Sequence, residues 1–179
     1  MLRFLRRKDP ARNAAAALYA AIAAQARAPV FHTRFAVPDT LDGRFDLFTL
    51  HAFLAMDALK DRGASGKTTS TRLADLVFAG FEDALRELGV GDMGIARRLK
   101  AMGDAFYGRL AAYDAAGESE EVLAQALVRN LYRGDKERKG AAFALACYAL
   151  SARRQLGETL GLTEGRADFG PPPADGPVP

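Results

Sequence analysis

One cysteine, two histidines and no tryptophan stand among 179 residues, and each shortage removes a class of protein. With Cys147 alone, no intramolecular disulfide forms, which points to a reducing compartment. Cys147 lies in GAAFALACYALSA and reads as a small core residue rather than a reactive thiol. Two histidines without H-x-x-x-H spacing supply no structural zinc set. His51 falls inside LFTLHAFL, the most apolar part of the chain, and reads as a core histidine with its ring hydrogen-bonded. β-Branched residues are few, and no segment alternates apolar and polar over a useful length, so a strand signal is missing. Apolar runs are short as well. The longest uncharged ones, Asn13–Ala26 and Gly140–Ala152, fall below the roughly 20 residues that a bilayer-spanning helix needs. The start, MLRFLRRKDPAR, has cations without a continuous apolar stretch behind them and does not read as a cleaved secretory signal. The cationic excess is +3, from 25 Lys and Arg against 22 Asp and Glu. That is far from the composition of a dedicated DNA binder, and no DNA partner is expected.

What is present is helix. Alanine is abundant, and the 49% hydrophobic and 26% charged content is ordinary for a globular chain. Asp9 as N-cap with Pro10 behind it starts a first helix, about Asp9 to Arg27. Pro29 and Pro38 break the periodicity, so an extended connection follows, with Phe31 and Phe35 as its anchors and His32 between them. A second helix covers about Leu41 to Asp61. It is apolar over so wide an arc that it reads as central. Gly63 to Lys67 reads as a polar turn before a third helix, about Thr69 to Leu88. The fourth, about Met93 to Ala116, carries the cleanest stripe: Ile95, Leu99, Met102, Phe106, Leu110 and Tyr113, at helical spacing. A fifth helix follows Gly117, and a sixth, about Ala141 to Leu156, reads as buried. The expectation is an all-α single-domain bundle of about six helices. Residues 1–12 form a basic N-terminal segment and residues 13–160 the helical domain. Residues 161–179, rich in proline and glycine without periodicity, read as a disordered tail.

Two glycine patterns suggest nucleotide chemistry, and both fail on context. GVGDMG, from Gly89 to Gly94, matches G-x-G-x-x-G. A dinucleotide fold needs a strand before it, whereas FEDALRELG has helical spacing. Asp92 would also occupy the anion position while capping the next helix. GASGKTTS, from Gly63, lacks the first glycine of G-x-x-x-x-G-K-[ST], because position 61 is Asp61. Both read as turns between helices. No serine triad, acid pair or metal set assembles elsewhere, so no catalytic residue and no cofactor are expected.

Surface charge remains. Arg3, Arg6, Arg7 and Lys8, with Phe4 among them, form a cluster suited to an anionic lipid surface, or to ribosomal RNA through its phosphates. A helical adaptor for membrane or RNA is therefore one reading of the chain.

Several longer segments carry more information: FDLFTLHAFLAMDALK (Phe45–Lys60), FEDALRELGVGDMGIARRLKAMGDAFYGRLAAYDAA (Phe81–Ala116) and ALVRNLY (Ala126–Tyr132). In their order and spacing they resemble the ubiquinol–cytochrome c chaperone family, over about Ala14 to Leu150. The resemblance implies an all-α fold without catalytic activity. It implies assistance to the assembly of ubiquinol–cytochrome c reductase, with newly made cytochrome b or another subunit as client. It also implies a cytoplasmic place in a bacterial member, or one at the inner face of the cytoplasmic membrane or at the ribosome. Tyrosine and arginine are common interface anchors. On that ground Arg97, Arg98, Lys100, Tyr107, Arg109, Arg129, Asn130 and Tyr132 are the expected client-binding residues.

Overall fold

The computed structural model describes residues 9–161 and 167–171. Among them the chain forms seven α-helices and no β-strand: α1 (Pro10–Ala26), α2 (Val30–Thr33), α3 (Leu41–Lys60), α4 (Gly63–Glu87), α5 (Asp92–Asp114), α6 (Glu120–Asn130) and α7 (Lys139–Thr159). One 3-10 turn, Lys136–Arg138, precedes α7. The all-α expectation holds, and the helix starts follow local chemistry. The Asp9 carboxylate accepts the Arg12 amide at 3.2 Å, with Pro10 in the first turn. Thr40 Oγ1 accepts the Gly43 amide at 3.1 Å, and Ser119 Oγ accepts that of Val122 at 3.3 Å.

α3 is the centre, packed against α1, α4, α5 and α7. Leu47, Leu50 and Leu54 on it are fully buried. Each such side chain stabilises the fold by roughly 1.5–3 kcal/mol through burial. α1 lies along α4, where the Tyr19 ring occupies the space that a side chain at Gly80 would need. α6 and α7 form a hairpin that closes the far side.

Three local expectations need correction. The Pro29–Pro38 connection is not wholly extended, because Val30–Thr33 makes one helical turn. Pro29 precedes that turn, where its missing N–H costs nothing. Phe31 and Phe35 are buried, as expected of anchors. Residues Gly63–Lys67 are not a turn but the start of α4. The bend is confined to Asp61 and Arg62, and Gly63 takes φ +59°. Gly66 then lies so close to the Leu59 carbonyl that any Cβ would overlap it. Finally, Asp92 is the first helical residue of α5 rather than its cap. Gly91 stands at the N-cap, and the Asp92 side chain reaches back to Arg86 at 3.4 Å. Gly89, with φ +74°, ends α4. The GVGDMG stretch is thus a helix–helix turn preceded by a helix.

His51 is a core residue. Its Nδ1–H donates to Leu47 O at 2.8 Å, and its Nε2 lies 3.0 Å from the Tyr148 hydroxyl. The Tyr148 oxygen accepts from Gln25 Nε2 at 2.9 Å. Only one proton arrangement satisfies this chain: neutral imidazole with its proton on Nδ1. Phe169, from the C-terminal stretch, covers the ring edge-on, with centroids 5.3 Å apart. Of residues 161–179, only 161 and 167–171 are described.

Candidate functional site

α1, the start of α3, the end of α4 and the middle of α5 do not meet fully. A groove of about 1070 Å³ is left between them. Its floor is aromatic. Tyr19 and Phe48 lie 5.6 Å apart, Phe45 and Phe81 5.3 Å, and Phe48 and Phe81 6.2 Å, centroid to centroid. Met102, Ala101 and Ala105 of α5 form one wall. Leu41 and Leu88 stand at the lips, 62% and 58% exposed. Large aliphatic side chains are seldom left so open beside an apolar groove without something to cover them.

The rim is charged but balanced. Arg44 Nε lies 2.8 Å from Asp39 Oδ1. Arg109 donates from Nε to Asp46 Oδ1 at 2.6 Å and from Nη1 to Ala105 O at 3.0 Å. Its guanidinium also lies 5.2 Å over the Phe45 ring, a cation–π contact. Arg133 reaches Asp46 Oδ2 at 2.8 Å and Asp42 Oδ2 at 3.5 Å. Arg27 and Glu87 add one charge of each sign. Asp46 is fully buried beneath the two guanidiniums. Burial pushes its carboxyl above the ordinary range, against the pull of Arg109 and Arg133. Beside it the Tyr113 hydroxyl is pushed well up, first by burial and then by the Asp46 charge. That hydroxyl has no hydrogen-bond partner among the described residues.

Arg133 takes φ +55°, a left-handed backbone rare outside glycine, and Gly134 follows at φ +83°. Several contacts hold this bend, among them Arg133 Nη1 donating to Asn130 O and Gly134 N–H to Val128 O. Tyr132 Oη donates to Phe35 O at 2.6 Å, and the Arg133 guanidinium is fixed by Asp42 and Asp46. The bend is what brings Arg133 to the rim.

The eight residues expected at a client surface do not share one. Arg97, Arg98, Lys100 and Tyr107 are exposed on α5, Lys100 paired with Asp104 at 2.8 Å and Tyr107 leaning on Phe78. Arg109 turns inward to the groove wall. Arg129 is exposed and Asn130 half-buried at the end of α6. Tyr132 is 4% exposed and belongs to the core, where its hydroxyl holds Phe35 O. The cluster Arg3, Phe4, Arg6, Arg7 and Lys8 lies outside the described residues. What the sequence did not reveal is the groove itself. Its floor residues Phe45, Phe48 and Phe81 lie on stripes that also fill the core.

Groups of three or more His, Cys, Asp or Glu able to hold a metal are absent among the described residues. The Cys147 thiol is pushed up by burial and by Glu120, away from a reactive thiolate. No helix among the described residues is long and apolar enough to cross a membrane.

The model of the family described as ubiquinol–cytochrome C chaperone matches residues 33–162. The chain belongs to that family. It is 26% identical over 102 residues to the ubiquinol-cytochrome-c reductase complex assembly factor 1 of Xenopus laevis. That alignment takes 56% of this chain and 51% of the frog protein, so the chain spans about half the length of that relative. Among solved structures it is similar to the Cbp3 homolog from Brucella abortus, with TM-score 0.73 and 38% identity over 82% of this chain and 83% of the other. The family match contains α3 to α7, and hence the floor and rim contributed by α3, α4 and α5.

Proposed function

We propose that this chain holds an unassembled subunit of ubiquinol–cytochrome c reductase, newly made cytochrome b, through the groove and without catalysis. The observation that carries the reading is an aromatic floor beneath a rim whose charges are balanced. Arg27, Arg44, Arg109 and Arg133 line the groove with Asp39, Asp42 and Glu87, and Asp46, buried behind Arg109 and Arg133, supplies the fourth negative charge. A phosphate or acid would meet no net positive charge there. An apolar membrane segment meets apolar surface and loses none of its own pairings. The volume, about 1070 Å³, lies just above the roughly 300–1,000 Å³ usual for small-molecule sites, which suits several side chains of a peptide segment.

Holding rather than chemistry follows from the same geometry. The groove offers burial at roughly 25 cal/mol per Å² of apolar surface; His32 at its edge is tied down, with Nδ1 3.0 Å from Val37 O and Nε2 3.9 Å from Asp39 Oδ1. The client would leave when assembly offers its segment a better partner. The outer face of α5, with Arg97, Arg98, Lys100 and Tyr107, is a second proposed contact for the client's polar parts. The basic N-terminal residues remain a proposed contact with the membrane or the ribosome.

The test is affinity purification of the tagged chain from gently solubilised cells, read by mass spectrometry. Cytochrome b should be enriched over other abundant membrane proteins. Leu41→Glu with Leu88→Glu, both at exposed positions, should abolish the enrichment while the chain still folds. Charge reversal at Arg97 and Lys100 should only reduce it. A groove variant that recovers cytochrome b as well as the parent removes the groove from the account.

A further inference from the structure

Among the described residues, two that are not glycine take a left-handed backbone: Ala36 at φ +50° and Arg133 at φ +55°. Such residues are rare, and they persist only where the surrounding structure over-determines them. Alanine has no polar side chain with which to offset the cost locally. The two lie far apart in sequence, yet each adjoins one end of the same contact. That contact is the buried hydrogen bond from Tyr132 Oη to Phe35 O, at 2.6 Å. Residues 34–40 form a strap between α2 and α3. Within it the Val37 amide donates to Phe31 O at 3.0 Å, and Val37 O lies 3.0 Å from His32 Nδ1. The strap leads into Leu41 at the groove's lip, and its Asp39 lines the groove. On the other side, Gly134 N–H donates to Val128 O at 2.8 Å, and Arg133 reaches Asp42 at 3.5 Å. Strap and bend are thus neighbouring parts of one groove edge. Each strained residue sits beside an atom that the other segment holds.

We propose that strap and bend move together as a gate on the groove, with the Tyr132–Phe35 hydrogen bond as its catch. While the catch is closed, both residues are kept left-handed. Once it opens, Tyr132 Oη and Phe35 O are free to meet water, and Ala36 and Arg133 are free to relax to ordinary φ. The closed state is held by a few buried contacts against strain on both sides, which is how a packed element comes to have two arrangements. Opening carries Leu41 and Asp39 on one side, and Arg133 on the other, away from the aromatic floor. A segment enters or leaves at this edge. The walls from α1, α4 and α5 contain no left-handed residue other than glycine and are the fixed part. The gate is a property of the fold, and its use in loading a client rests on the proposed function.

Hydrogen–deuterium exchange of the full chain tests the coupling, read at the Val37 and Gly134 amides. Tyr132→Phe should speed exchange at both by roughly three- to tenfold, the factor that one net hydrogen bond contributes to an opening equilibrium. The amides of α4 should not change. Ala36→Asn, which suits a left-handed backbone, should slow both by about threefold, although Gly134 belongs to the other segment. An effect of Ala36→Asn at Val37 alone means an ordinary strained loop and overturns the inference. Should Tyr132→Phe loosen the whole chain, Ala36→Asn decides by itself: slowing at Gly134 supports the gate, and no change there overturns it. Access to the groove is read in a Cys147→Ala background, as the rate at which a bulky maleimide labels Met102→Cys on the α5 wall. Tyr107→Cys on the outer face is the control. Tyr132→Phe should speed labelling at position 102 severalfold and leave position 107 unchanged. Faster exchange with an unchanged rate at position 102 would be motion without gating, and overturns the proposal. Neither readout involves a client, so a failure to recover cytochrome b leaves these results standing.

Discussion

His51 shows how much a single buried side chain commits the fold to one protonation state. Its pKa is lowered from 6.5 to about 4, first by desolvation, with the Leu47 carbonyl opposing. In the unfolded chain the ring takes up a proton near pH 6.5; in the folded chain it resists down to about 4. The stabilisation is therefore complete above pH 6.5 and is lost as the pH falls from there toward 4, by about 3 kcal/mol in all. Urea unfolding at several pH values across that window should show the decline, and His51→Gln should flatten it. An equal slope in the variant would place the acid sensitivity elsewhere. Tyr113 makes the opposite case. Its hydroxyl is buried without a hydrogen-bond partner among the described residues, which costs roughly 1–3 kcal/mol. Tyr113→Phe should raise the melting temperature by about 2–4 °C for each kcal/mol recovered. A lower melting temperature would mean that the hydroxyl is paired in solution. The core role of His51 was legible in the sequence because the surrounding LFTLHAFL leaves it no polar exit. The buried partnership of Asp46 with Arg109 and Arg133 was not, because its members lie 63 and 87 residues apart along the chain.

At the scale of elements, legibility followed the strength of local signals. The start of α1 could be read from Asp9 and Pro10, and α5 from an uninterrupted stripe. The beginning of α4 could not. Gly63, Gly66 and the neighbouring Ser and Thr have turn propensities, and only packing against α3 overrules them. Gly66 is the residue through which that override acts, since its missing side chain lets α4 approach the Leu59 carbonyl. Gly66→Val should consequently destabilise the chain by at least about 2 kcal/mol, through forced separation of the two helices. Thermal unfolding measures this, and a neutral result would show that the α3–α4 bend relaxes easily. α2 was missed for a related reason. Pro29 interrupts the helical periodicity, yet it stands just ahead of the helical turn, where proline is tolerated. The groove was illegible on the same grounds as these overrides. Periodicity gives the apolar face of a helix but not whether another helix comes to cover it, and Phe45, Phe48 and Phe81 look the same in either case.

For the whole molecule, the central claim is that an aromatic groove with a balanced rim holds an apolar segment of an unassembled respiratory subunit. The chain belongs to the family described as ubiquinol–cytochrome C chaperone; the groove gives the proposed holding role a physical means. The rim ties the two levels together. Asp46 fixes Arg109 and Arg133, and the left-handed bend at Arg133 depends on that anchorage. One measurement tests the claim most directly: a photoreactive amino acid placed at Leu88 on the groove lip, and separately at Tyr107 on the outer face of α5, in cells making the respiratory complex. The account predicts adducts to cytochrome b from position 88, with few from position 107. Adducts from position 107 and none from position 88 would contradict it and move the client to the outer face of α5.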